Sequence, residues 1–177
     1  MKATRFRAEP LADGHDRSAF DCGDETLNRY LRTQVSQDIR RHIANCFVAV
    51  EVIEAPAGGG TSRVAAYYTL SAASLPFTGL PAEESKRLPR YPTIPGVRIG
   101  RLAVDRQFQG CGLGAAMLAD ATARALKADA AAFMLVVDAK NEQAVRFYEK
   151  FGFRLVAGKS RTLFLSLATA RKVFAQG

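Results

Sequence analysis

Apolar residues recur along the chain in two distinct periods, and the change of period marks its elements. A short strand is expected around Thr4–Arg7, before a polar turn at Asp13-Gly14. Phe20 to Glu25 then gives a turn and a helix start. Asp24 stands as the cap ahead of Leu27, Tyr30 and Leu31, in a helix running with a break to Arg41. Cys46–Ile53 and Arg63–Ala73 are β-branched and apolar and read as strands, the second doubly covered at Val64–Leu70. Between them Pro56 and Gly58-Gly59-Gly60 make a flexible hairpin connection. Leu75–Pro95 holds five of the seven prolines and reads as an irregular loop with one helical turn.

Val97–Val104 is the next strand, and after it the period changes to that of a helix. Leu113, Met117, Ala121 and Ala125 fall on one face, with Asp120, Arg124 and Lys127 opposite. Ala132–Val137 is a buried strand. Asn141 caps a short helix through Phe151, which Gly152 ends. Phe153–Val156 and Thr162–Leu167 close the chain as strands joined at Gly158, followed by a helical turn over Ala168–Phe174.

Composition narrows the class. At 177 residues, 48% hydrophobic and 24% charged, the chain suits one globular domain. The N-terminus carries no apolar signal core and no run reaches membrane-span length, so a cytoplasmic location without membrane attachment is expected. Cys22, Cys46 and Cys111 are odd in number and unpaired in spacing, and with two histidines they argue for free thiols and against a metal site. The net charge of +8 is uneven. Through Arg90 there are 12 basic and 11 acidic residues; from Tyr91 onward there are 13 and 6. A basic half points to an anionic partner, a phosphate-bearing cofactor or a nucleic acid; a merely solvated basic face would look the same.

The chemistry concentrates in Gln109-Gly110-Cys111-Gly112-Leu113-Gly114, a glycine-spaced loop opening the long helix. Bare backbone amides at a helix N-terminus form an anion seat. The run matches the dinucleotide pattern G-x-G-x-x-G/A. However, Asp105–Gln109 separate it from the strand, and too few β-α repeats follow for that fold.

Four features in this order resemble the GNAT superfamily of acetyl-CoA-dependent N-acetyltransferases: Leu102-Ala103-Val104, Gln109-x-x-Gly112-x-Gly114, Asp138-x-x-Asn141, and Phe147-Tyr148-x-x-Phe151-Gly152-Phe153. The resemblance covers about residues 63–167. It implies an α/β (α+β) GNAT fold, a mixed, mostly antiparallel sheet with a central parallel, splayed strand pair and helices on both faces. It also implies one acetyltransferase domain over 1–177. Leu102, Ala103 and Val104 would bind the pantetheine arm of acetyl-CoA, and Gln109, Gly110, Cys111, Gly112, Leu113 and Gly114 its diphosphate. Asn141 would contact the cofactor, and Phe147, on a different helix face from Tyr148, would pack inward or beside it. Tyr148 would protonate the departing thiolate, for which a phenol's ordinary pKa near ~10 suffices.

No carboxylate stands out as a base, which favours an α-amine, substantially unprotonated near neutral pH with an ordinary pKa of about 7.7–8.0, over a lysine side chain. Phe20-Asp21-Cys22-Gly23, Leu27-x-x-Tyr30-Leu31, Val97–Asp105 and Arg161–Leu165 are further similar to one GNAT branch. That branch comprises the toxins of bacterial toxin–antitoxin modules that acetylate the α-amine of aminoacyl-tRNA and are paired with ribbon-helix-helix antitoxins. Arg98, Arg101, Arg154, Lys159 and Arg161 are the candidate RNA contacts. A homodimer is compatible with this reading. Two alternatives stay open: an acetyltransferase of a small amine or protein N-terminus, and a non-catalytic nucleic-acid-binding domain on the same fold.

Overall fold

The computed structural model describes residues 5–52 and 62–175. The glycine-rich connection at Glu54–Thr61 lies outside them. The chain gathers into two compact units, Met1–Leu70 with Arg101–Asp120, and Ser71–Gly100 with Ala121–Gly177.

In the first unit β1 (Phe6–Pro10) pairs antiparallel with β3 (Asn45–Glu51), and β3 with β4 (Ser62–Pro76). The end of β5 (Thr93–Val104) continues this ladder beyond β4. A two-residue parallel bridge joins β2 (His15–Asp16) to Ser62 and Arg63. Asp24 caps α1 (Glu25–Arg29), its carboxylate accepting from the amides of Thr26 and Leu27. The expected break is a π turn over Tyr30–Gln34, before α2 (Val35–Arg40). Arg17 braces this turn by donating to the Leu31 carbonyl and to Ser36 Oγ. Phe20, Tyr30, Leu31, Val48, Val64 and Tyr67 form its core.

The second unit is built on β5, β6 (Met134–Asp138), β8 (Thr162–Ser166) and β7 (Arg154–Leu155), in that order. β5 and β6 are parallel from Gly96↔Met134 to Ile99↔Val137, and the other pairings are antiparallel. A side chain at position 96 would come within 3.1–3.2 Å of Met134 and Val136, so glycine there permits the parallel approach. α5 (Glu142–Glu149) and α6 (Leu167–Phe174) complete the unit. The proline-rich segment is more ordered than expected: β4 extends to Pro76, a 3-10 turn covers Phe77–Gly79, and α3 is one turn at Ala82–Ser85.

The long helix α4 (Leu113–Lys127) buries Leu113, Met117, Ala121 and Ala125 as the period predicts. Asp120 departs from the solvent face assigned to it, since its carboxylate accepts the Tyr68 hydroxyl at 2.6 Å. Among the described residues no helix is long and apolar enough to cross a membrane.

Candidate active site

In the first unit the site begins where β5 ends. Ala103 turns into the core, while Leu102 and Val104 are half-buried on the other face, as strand alternation requires. The Asp105 amide donates to the Ala65 carbonyl at 2.8 Å, fixing where the strand stops. The Asp105 carboxylate is 1% exposed and accepts from the Gln107 amide at 2.9 Å, the Asp21 amide at 3.0 Å and Arg63 at 3.1 Å. It therefore ties the start of the loop to β4 and to the Phe20–Gly23 turn. The Gln109 side chain does similar work, its Nε2 donating to the carbonyls of Val104 (2.9 Å) and Cys22 (3.2 Å).

Held this way, the loop turns through Gly110 at φ +80° and Gly112 at φ +82°, conformations that disfavour any side chain. A Cβ at either position would meet nothing within 4 Å, so open space faces the backbone there. The Ala116 amide is bonded to the Gly112 carbonyl at 3.1 Å, and helical geometry leaves the amides of residues 113–115 without an intrahelical acceptor. Uncovered amides, the positive end of a 15-residue helix and free volume above the glycines fit a diphosphate. Cys111 is exposed, its Sγ 2.8 Å from the Phe108 carbonyl. With Phe6, Phe108, Leu113 and Ala116 it lines a cleft of about 550 Å³ beside the loop.

In the second unit Asn141 caps α5, its Oδ1 accepting from the Ala144 amide at 2.9 Å. Gly152, at φ +93°, ends that segment, and the Phe153 amide folds back to the Tyr148 carbonyl. The Tyr148 ring is 6% exposed and stands edge-on to Phe147 (5.2 Å) and Phe153 (5.4 Å). Phe147 projects about 100° around the helix from Tyr148, half-buried where Tyr148 is buried, and its ring also touches Phe151. Burial, reinforced by the Asp138 carboxylate, pushes the Tyr148 phenol well above its ordinary pKa. The group is held as an acid.

Of the five basic candidates, Arg98, Arg154, Lys159 and Arg161 lie in the second unit and Arg101 in the first. Arg98 is paired with Asp138, which also accepts the Thr162 hydroxyl. Arg161 lies 3.8 Å from Glu142 and Arg154 lies 4.0 Å from Glu84. Lys159 is exposed, and with Arg98 it lines a cleft of about 310 Å³. The Arg101 guanidinium sits 3.6 Å over the Tyr30 ring, a cation–π contact that occupies one of its faces. Local positive charge is thus smaller than the residue count suggests.

Residues 18–153 match the model of the acetyltransferase (GNAT) family. The chain belongs to that family. A tRNA-acetylating toxin of Mycobacterium tuberculosis (strain ATCC 25618 / H37Rv) is 28% identical over 163 residues, 91% of this chain and 92% of the toxin. Among solved structures, a Tyr-to-Phe variant of KacT superposes with a TM-score of 0.83 at 31% identity, covering 95% of this chain and 98% of the other. AtaT complexed with acetyl-methionyl-tRNAfMet gives 0.82 at 31%, covering 96% and 99%. AtaTR has also been solved with acetyl-CoA, and a Tyr-to-Phe variant of AtaT with the C-terminus of the antitoxin AtaR. The mixed sheet with its parallel β5–β6 pair is the architecture expected of a GNAT chain.

Three residues that shape this GNAT site have no site role in the sequence reading. Asp105 and Arg63 anchor the loop, and Tyr30 holds Arg101. Asp105 carried a signal, a carboxylate directly after an apolar strand and before a glycine loop. Arg63 carried none and Tyr30 only its place in the Leu27-x-x-Tyr30-Leu31 run, because their partners are 42 and 71 positions away in the chain.

Proposed function

We propose that this chain is an acetyl-CoA-dependent N-acetyltransferase whose acceptor is the α-amino group of aminoacyl-tRNA. On this reading it is a toxin that blocks translation in the cytoplasm and is restrained by a ribbon-helix-helix antitoxin, with both units serving one acetyltransferase domain. The observation that carries the reading is likeness along more than nine-tenths of the chain to a tRNA-acetylating toxin and to AtaT held with acetyl-methionyl-tRNAfMet.

Acetyl-CoA, when bound, supplies an acetyl group activated as a thioester. The amides at Gly110–Gly114 would receive its diphosphate, and the outer face of Leu102–Val104 its pantetheine arm. Gln109 takes one lone pair of the Val104 carbonyl, and the second lone pair and the backbone groups of Leu102 remain for strand-like bonding to that arm. Gln109 and Cys111 contribute through backbone, and Asn141 by orienting α5. Tyr148 holds a proton at Oη for the departing thiolate, and Phe147 packs beside it.

Asp105 accepts three hydrogen bonds and Asp138 accepts from Arg98 and Thr162, so neither is free to deprotonate an amine. An α-amine, with an ordinary pKa of about 7.7–8.0, needs no strong base, whereas a lysine at about 10.4 does. The basic candidates Arg98, Arg101, Arg154, Lys159 and Arg161 would meet phosphates.

The test is transfer of labelled acetyl from acetyl-CoA to bulk charged tRNA, with deacylated tRNA and free amino acids as controls. Label on charged tRNA, with a KM that rises steeply with salt, is the expected result. Label only on free amines would replace this reading with a small-amine acetyltransferase.

A further inference from the structure

The proline-rich segment between β4 and β5 presents a feature that the acetyl-transfer site does not use. Tyr91 is 62% exposed, an unusual position for so large an apolar ring, and it makes no aromatic pair among the described residues. Its backbone is not loose. The Tyr91 amide donates to the Pro89 carbonyl at 2.9 Å, and the Phe77 amide to the Pro92 carbonyl at 3.1 Å, so the turn is tied across its base and stiffened by prolines on both sides. Lys86 and Arg90 are exposed nearby and make no ion pair among the described residues. With Phe77, Leu88, Tyr91 and Pro92 they line a groove of about 590 Å³. The acidic side chain closest in sequence to carry an assigned partner, Glu84, is turned to Arg154. Thr78 borders both this groove and the cleft lined by Arg98 and Lys159.

A solvent-facing ring on a hydrogen-bonded, proline-flanked turn beside uncommitted cations has the chemistry of a single-stranded nucleic-acid seat. The ring stacks on a base of any identity, and the cations take the phosphates on either side. We propose that this groove receives an unpaired nucleotide from the 3′ end of the acceptor tRNA, with Tyr91 stacking on its base and Lys86 and Arg90 on its backbone. The inference rests on the reading of the acceptor as aminoacyl-tRNA, and it assigns part of the recognition to two cations, Lys86 and Arg90, that precede the basic C-terminal half. Proline-limited freedom also means that little ordering entropy is lost when the base stacks.

The experiment measures steady-state acetylation of charged tRNA by the full chain and three variants, Tyr91→Ala, Tyr91→Phe and Lys86→Ala/Arg90→Ala. Stacking by one base is worth about 1–3 kcal/mol, so Tyr91→Ala is expected to raise the tRNA KM about 5- to 150-fold. The kcat and the KM for acetyl-CoA should stay unchanged, and Tyr91→Phe should match the parent. The double variant is expected to flatten the salt dependence of the tRNA KM by about 1.4 in log–log slope, at about 0.7 per contact to single-stranded phosphate. An unchanged tRNA KM in Tyr91→Ala overturns the proposal, as does an equal loss in Tyr91→Phe or a parallel loss of acetyl-CoA affinity. If instead the parent chain acetylates no charged tRNA, the failure belongs to the acceptor assignment and not to the groove.

Discussion

Replacing Asp105 tests whether a buried carboxylate, and not the glycines alone, sets the shape of the anion loop. Its side chain is 1% exposed and accepts from two backbone amides, of Asp21 and Gln107, and from the Arg63 guanidinium. Hydrogen bonds to a charged group contribute roughly 1.5–3 kcal/mol each when the partner is left buried. The Arg63 bond must be discounted, because that side chain is 34% exposed and water can replace its partner. Two amide bonds and a reduced ion pair together put Asp105→Ala at about 3–5 kcal/mol of destabilisation.

Asp105→Asn keeps the shape and one acceptor but turns an amide donor toward another donor, so about 1–3 kcal/mol is expected. The chain has no tryptophan, so urea unfolding is followed by far-UV circular dichroism with tyrosine fluorescence as the second probe. An acetyl-CoA titration of the folded fraction should show affinity falling at least about tenfold in Asp105→Ala, since the Gly110–Gly112 turn loses its anchor; that corresponds to about 1.4 kcal/mol. A variant within about 1 kcal/mol of the parent, with unaltered acetyl-CoA binding, would refute the anchoring argument.

Tyr148→Phe is expected to preserve acetyl-CoA affinity while lowering kcat about 10²- to 10⁴-fold, measured by thiol release at saturating substrate. Because burial raises the Tyr148 pKa, the acid form persists as pH rises, and kcat should show no alkaline loss from this group below about pH 10. At Gly112 an alanine has room for its Cβ but not for its backbone. Strain at φ +82° should cost about 1–2 kcal/mol in chemical denaturation, with a higher KM for acetyl-CoA. Asn141→Ala removes the α5 cap and should cost about 1 kcal/mol, whereas Asn141→Asp, which keeps the acceptor, should leave stability within a few tenths. A loss of acetyl-CoA binding in Asn141→Asp without loss of stability would instead mark a direct cofactor contact.

The sequence by itself determined what depends on neighbours along the chain. Strand and helix periods located β3 to β6 and α4 within a few residues, because burial of one face imposes a repeat of 2 or 3.6 that is written locally. The caps Asp24 and Asn141 and the helix end at Gly152 were equally legible, since capping and left-handed backbone constrain residue type at a single position. Only the tertiary structure decided how charge is distributed. Arg98, Arg154 and Arg161 face carboxylates contributed by distant segments, Arg101 lies on Tyr30, and Asp120 holds Tyr68. It also decided that Gln109 would brace the loop through its side chain, and that Tyr91 would stand exposed on a hydrogen-bonded turn. Pairings between side chains dozens of residues apart obey no period, and the energy of a charge depends on what folding brings beside it.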